Sequence, residues 1–181
     1  QPAKTKPFGF EAFYPGPGVG GHCIPIDPNY LSWLVQSLGY EFRFVELAKE
    51  ISNNMPDYVA SRIKESLEKE NKTVAGANIL ILGVSYKTNS SDQRETPARP
   101  LAEALIESGA NLKFFDPFVA SFNVGKERFE TIESLDGISD WADLFVLLQP
   151  HSGIIDNKHL DTAKKIFDTR GVLTGKNVEK L

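Results

Sequence analysis

Asn78-Ile79-Leu80-Ile81-Leu82-Gly83-Val84 decides the fold. The run is apolar without alternation and is closed by a glycine, the pattern of a strand buried on both faces in a parallel sheet. Downstream, Pro97 to Glu107 carries Leu101, Ala102, Leu105 and Ile106 at helical spacing, with Gly109 as its stop. Leu112 to Phe115 is the next strand, ended by Asp116-Pro117. Asp143 to Leu148 is a third and Lys165 to Asp168 a fourth. Strands alternating with helices predict an α/β domain over residues 73–181, a Rossmann-like doubly wound parallel sheet covered on both faces.

Upstream the period changes. Phe44, Leu47, Ile51, Met55, Val59, Ile63 and Leu67 recur at steps of three and four and form one apolar stripe. The stripe covers about 24 residues, hence ~36 Å, and a helix that long needs a sister domain or a second subunit to lie against. Pro56 falls inside it and predicts a kink or two abutting helices. Before it, Asp27-Pro28 reads as the cap and first-turn proline of a short helix through Ser37, stopped by Gly39. Residues 29–72 are therefore a central helical segment. Residues 1–28, with Pro15-Gly16-Pro17-Gly18-Val19-Gly20-Gly21 at their heart, read as a loop, because so many breakers exclude a helix.

Composition narrows the function. The 181 residues hold 20 Lys plus Arg against 24 Asp plus Glu, a net charge of −4 that lacks the basic excess of a nucleic-acid-coating surface. No apolar run approaches the ~20 residues that span a bilayer. One cysteine makes neither an internal disulfide nor a multi-thiolate zinc site, so the expected compartment is a reducing cytoplasm and no metal is expected. Position 1 is not Met, and the only Met is Met55, which suggests a piece of a longer protein.

Two places carry chemistry. The strand, glycine, helix and acid-ended strand from Ile81 to Asp116 resemble a dinucleotide-binding unit in outline, but Gly83 is followed by Val84-Ser85-Tyr86-Lys87-Thr88-Asn89. The second and third glycines that let backbone approach a pyrophosphate are missing, so NAD is not expected here, while the crevice at the strand ends remains the place for a ligand. The second place is Cys23, after Gly20-Gly21-His22. A lone cysteine reads equally as an inert small hydrophobe or as a nucleophile. The flexible glycine loop and the helix start at Asp27-Pro28 favour the nucleophile, since a helix N-terminus or a protonated imidazole favours the thiolate. His22 reads first as a hydrogen-bonded loop residue.

Phe13-Tyr14-Pro15-Gly16-Pro17-Gly18-Val19-Gly20-Gly21-His22-Cys23-Ile24-Pro25-Ile26-Asp27-Pro28 closely resembles the active-site loop of the UDP-glucose/GDP-mannose dehydrogenase family, nearest the UDP-N-acetylglucosamine and N-acetylmannosamine 6-dehydrogenases. Leu82-Gly83-Val84-Ser85-Tyr86-Lys87 with Asp92-Gln93-Arg94-Glu95-Thr96-Pro97-Ala98 resembles the segment opening that family's nucleotide-sugar domain. Phe167-Asp168-Thr169-Arg170-Gly171-Val172 is a weaker match further on.

The resemblance implies oxidation of a sugar C6 alcohol to a carboxylate with two NAD⁺, through an aldehyde, a hemithioacetal and a thioester that water cleaves. By that resemblance Cys23 is the nucleophile and Asp27 the acid that positions water. Tyr14, Gly16, Gly18, Gly20 and Gly21 close over the UDP-sugar, Tyr86, Lys87 and Arg170 touch it, and Arg94 lies on the cofactor side. The family's NAD-binding domain has no counterpart here, so the chain is expected to bind the UDP-sugar and to dimerise through its central helix without catalysing by itself. Ile26 stands where UDP-glucose dehydrogenases carry Lys, which favours the N-acetyl-sugar branch over UDP-glucose 6-dehydrogenase. Ser91 stands where the family more often has an acid. A non-enzymatic nucleotide-binding or dimerisation module and a redox-sensing thiol protein are the competing readings.

Overall fold

The computed structural model describes residues 14–181. Two helices come first, α1 (Cys23–Ser37) and α2 (Arg43–Glu68). The α/β domain follows, with β1 (Asn78–Leu82), α3 (Ala98–Glu107), β2 (Asn111–Phe115), β3 (Ser121–Val124), β4 (Glu127–Glu130), α4 (Ile138–Trp141), β5 (Leu144–Leu147), α5 (Ser152–Ile155), a 3₁₀ turn over Lys158–Thr162, β6 (Ile166–Asp168) and β7 (Val178–Lys180). Five strands form one parallel sheet in the order β2-β1-β5-β6-β7, and β3 pairs antiparallel with β4 in a separate hairpin. The chain leaves β1 in one direction to β2 and returns on its other side to β5. The carboxyl ends of β1 and β5 therefore flank the switch point, where an open sheet of this class leaves a crevice.

The apolar run of β1 behaves as a strand buried on both faces should. Ile79 and Ile81 enter a core with Val59, Ile63 and Leu67 of α2 and Leu101, Ala102 and Leu105 of α3. Leu80 and Leu82 face the opposite way, into a second core with Phe145, Leu147, Leu135, Ile138 and Ile154. Short helices and turns cover this second face. The hairpin, not expected from the sequence, closes the edge of the first core with Phe122 and Val124. Its Phe122 ring meets Phe114 edge-on at 5.9 Å between centroids.

Two expectations about the helices change. The first helix begins at Cys23 with His22 as its cap, not after Asp27. Pro25 falls in the first turn, where no N–H is needed, and only Pro28 forfeits an intrahelical bond, so the prolines do not break the helix. Asn29 Nδ2 donates to Pro25 O at 2.7 Å across the same turn. The stripe from Phe44 to Leu67 is one helix through Pro56 rather than two. Its burial divides there: Val59, Ile63 and Leu67 are in the core, whereas Phe44, Leu47 and Ile51 are exposed, Phe44 at 88%. Pro56 offers no N–H to the Ser52 carbonyl one turn back. That carbonyl faces the glycine loop, 3.5 Å from where a Gly18 Cβ would stand.

Candidate active site

The glycine loop lies directly on the connection between β1 and α3, which residues 83–97 form. Gly21 N–H donates to Arg94 O at 2.9 Å. A Cβ on Gly20 would sit 2.5 Å from Tyr86 Cβ and 2.8 Å from Glu95 O, and one on Gly21 would sit 2.8 Å from the Tyr86 ring. Glycine is required at Gly20 by contact and at Gly21 also by its φ of +90°. Gly16 is equally close to Arg170, whose Nη1 would lie 2.6 Å from an added Cβ. Gly18 (φ +145°) packs on Pro97. Tyr14 is exposed at the mouth of the loop.

Cys23 follows this loop as the first residue of α1, and its thiol is exposed. Because the helix starts here, Asp27 lies one turn further on, on the same face as Cys23 (i, i+4 neighbours have Cβ atoms about 5–6 Å apart). Both are open to solvent. A depression of about 510 Å³ lies beside them, lined by His22, Ile26, Arg94, Glu95 and Arg99 among others.

The cations take distinct environments. Arg94 is gripped by Asp92: Nε donates to both carboxylate oxygens at 3.0 Å and Nη2 to Oδ2 at 2.6 Å. That pairing raises Arg94 above the ordinary arginine range and lowers Asp92 below the ordinary carboxylate range. Arg170 is largely buried, with Nε donating to Leu148 O at 2.8 Å. Burial pushes its guanidinium below the ordinary value, Asp168 opposes that only in part, and no carboxylate is ion-paired to it among the described residues. A largely buried guanidinium with Asp168 near but no carboxylate in salt-bridge contact suits an anionic ligand. Lys87 is exposed and likewise has no ion-pair partner among the described residues.

The floor of the crevice is polar, and the sequence reading did not find it. Asp116, His151 and Ser85 are all buried there. Burial alone would raise Asp116, but hydrogen bonds from His151, Phe118 N–H and Val84 N–H outweigh it and hold the carboxyl below its ordinary value. His151 lies in no motif. The only signal available was its place just after the third strand, at the sheet's carboxyl edge.

The described residues do not fit a dinucleotide at this strand end. Gly83 (φ +78°) is glycine because a Cβ would stand 2.5 Å from Gln149 O, a demand set by the neighbouring strand end and not by a pyrophosphate. The first turn of a helix does not follow it; an irregular connection does. Among the described residues no group of three or more His, Cys, Asp or Glu is placed to hold a metal ion. No helix among them is long and apolar enough to cross a membrane.

Comparison with known proteins decides the lineage. Residues 80–175 match the UDP binding domain of the UDP-glucose/GDP-mannose dehydrogenase family, and residues 1–54 match that family's central domain. The chain belongs to the UDP-glucose/GDP-mannose dehydrogenase family. It is 33% identical over 174 residues to a UDP-N-acetyl-D-mannosamine dehydrogenase of Methanocaldococcus jannaschii, covering 92% of this chain and 37% of that protein. It is 35% identical over 119 residues to a UDP-N-acetyl-D-glucosamine 6-dehydrogenase of Pseudomonas aeruginosa, covering 66% of this chain and 28% of that protein. Among solved structures, the UDP-D-ManNAc dehydrogenase of Pyrococcus horikoshii superposes with a TM-score of 0.80 at 29% identity, over 98% of this chain and 42% of that one. The chain thus spans well under half the length of these members of the UDP-glucose/GDP-mannose dehydrogenase family.

Proposed function

We propose that this chain is the substrate-binding, thiol-bearing part of an NAD-dependent UDP-N-acetyl-hexosamine 6-dehydrogenase, which oxidises a sugar C6 alcohol to a carboxylate through a cysteine thioester. The observation that carries the reading is the glycine loop pinned over Tyr86, Arg94 and Arg170, with an exposed Cys23 at its end. The match of residues 80–175 to a UDP binding domain supports a UDP-linked substrate. The relatives named above support an N-acetyl-hexosamine.

In this reading the UDP-sugar lies between loop and crevice. Arg170, with no carboxylate in salt-bridge contact, supplies charge to the diphosphate, and Tyr86 and Lys87 flank the sugar. The Cys23 thiolate adds to the C6 aldehyde, so the intermediate stays covalently held. Once that adduct is oxidised to the thioester, Asp27, one turn along α1, orients the water that releases the carboxylate and the thiolate. NAD, the hydride acceptor, is assigned to residues outside those described; Arg94 borders that side through the depression it shares with His22. The exposed apolar residues of α1 and of the first half of α2 (Tyr30, Trp33, Leu38, Tyr40, Phe44, Leu47 and Ile51) are assigned to a homodimer interface.

The test uses protein that carries both this chain and the NAD-binding residues, assayed by NADH absorbance against a panel of nucleotide sugars. Cys23→Ala should abolish carboxylate formation from the N-acetyl-hexosamines, leaving at most the one NADH of the alcohol-to-aldehyde step, with UDP affinity by calorimetry unchanged. Undiminished carboxylate formation would remove Cys23 from the chemistry and leave this chain only a nucleotide-binding part.

A further inference from the structure

The buried polar floor of the crevice takes no part in the chemistry above, yet its hydrogen bonds converge on one ring. His151 Nε2 lies 3.2 Å from Asp116 Oδ2 and 3.2 Å from Ser85 Oγ. On the other side of the ring, Asn89 N–H donates to Nδ1 at 2.8 Å. Nδ1 must therefore be the unprotonated nitrogen, and in the neutral ring the proton sits on Nε2, facing the carboxylate. Asp116 is itself tied down: Oδ2 accepts Val84 N–H at 2.8 Å and Ser85 N–H at 3.3 Å, and Oδ1 accepts Phe118 N–H at 2.8 Å. The Phe118 ring packs against His151 at 5.1 Å between centroids and shields it.

These bonds grip both ends of one irregular segment. Ser85, whose Oγ also donates to Lys87 O at 2.9 Å, is held at the start. Asn89, in a left-handed conformation (φ +56°), is held at the end; its Oδ1 accepts Ser152 N–H at 3.0 Å. Between them stand Tyr86, under Gly20 and Gly21, and Lys87. A buried, fully hydrogen-bonded network of this kind costs desolvation that a hydrophobic ring would not, and what it gives in return is a unique geometry. We infer that His151 is the positioning residue of the site, holding the segment Ser85 to Asn89, and with it Tyr86 and Lys87, in ligand-ready register against the carboxyl ends of β1 and β2. The inference rests on the reading of the crevice as a UDP-sugar site.

Two substitutions separate the two nitrogens. His151→Asn keeps an acceptor where Nδ1 stands and loses the Asp116 arm; His151→Gln keeps a donor toward Asp116 and loses the acceptor for Asn89. UDP calorimetry and amide hydrogen exchange by NMR are measured on the full chain. His151→Asn should keep UDP affinity within about twofold and a protected Asn89 amide, whereas His151→Gln should weaken UDP about tenfold and expose that amide. Thermal stability is measured alongside. Equal affinity in the two variants, or losses in both that simply follow their melting temperatures, would overturn the inference. If the unsubstituted chain does not bind UDP, the nucleotide reading fails by itself. The exchange data then decide positioning: protection kept in Asn and lost in Gln supports it, and any other pattern sinks it. If His151→Gln does not fold, the Asn89 amide of the unsubstituted chain and of His151→Asn decides. Protection in both supports the inference and rapid exchange in the unsubstituted chain ends it.

Discussion

Replacing Gly20 by alanine places a methyl carbon 2.5 Å from Tyr86 Cβ and 2.8 Å from Glu95 O. Neither neighbour can rotate away. One is the carbon that attaches a side chain to its backbone, and the other is backbone itself, in a residue already at a left-handed φ of +46°. Relief requires the loop to retreat by about an ångström, because ordinary contacts lie near 3.5–4.0 Å. A retreat of that size also stretches the 2.9 Å bond from Gly21 N–H to Arg94 O. Overpacking costs about 1–3 kcal/mol and a lost hydrogen bond about 0.5–1.5 kcal/mol. If loop docking and nucleotide binding are one event, roughly 1.5–4.5 kcal/mol should appear as a ten- to thousandfold rise in the UDP dissociation constant. The cores do not include the loop, so the melting temperature should fall by less than about 3 °C, as for a local opening. Gly153→Ala is the control: its Cβ meets only Pro117 at 3.7 Å, ordinary contact, and affinity should not change. Isothermal calorimetry with UDP on Gly20→Ala reads the result. Unaltered affinity would mean that the loop does not cover the nucleotide.

Glu179 of β7 receives Lys69 Nζ at 2.6 Å and Ser66 Oγ at 2.8 Å from α2. Burial would raise its pKa, but the hydrogen bonds from Lys69, Ser66 and Lys165 bring it down to about 2 from 4.5. A depressed carboxylate contributes stability that is complete above the unfolded pKa and disappears as pH falls through the folded one. The unsubstituted chain should therefore lose about 1–2 kcal/mol between pH 5 and pH 2 that Glu179→Gln does not lose, with solvent screening discounted. Parallel melting curves across that range would contradict this. Phe44, 88% exposed, is the test of the interface: Phe44→Glu should weaken self-association about 30-fold or more in sedimentation experiments, and a monomeric unsubstituted chain at tens of micromolar would dismiss the interface.

Much of the fold was legible because it is periodic. Ile79 to Leu82 and Leu144 to Leu147 are buried on both faces and show it as unbroken apolar runs, and Val59, Ile63 and Leu67 show their burial as a helical stripe. The hairpin was legible in principle: Phe122, Val124 and Phe129 alternate around Gly125, a turn residue with φ +56°. The edge strand Val178–Lys180 is too short to have a pattern. The start of α1 was misread because Pro28 was taken for the first-turn proline, whereas Pro25 occupies that turn and Pro28 lies further inside the helix. In the site, the glycine loop and the nearby helix start singled out Cys23, and only the family resemblance nominated Asp27, Tyr86, Arg94 and Arg170. No periodicity could reveal that Gly16 lies against Arg170 or that His151 reaches both Ser85 and Asn89, since these contacts join segments far apart in sequence.

The helical start at Cys23 has a mechanical side. Sulfur and carboxylate are borne by a single turn of α1, so their spacing is a property of that turn and survives any movement of the chain that delivers it. The two glycines just upstream anchor that turn: Gly21 holds a φ that side-chain-bearing residues avoid and donates its N–H to Arg94 O. The place of the pair is thus fixed by where the loop docks, and its internal gauge by the helix.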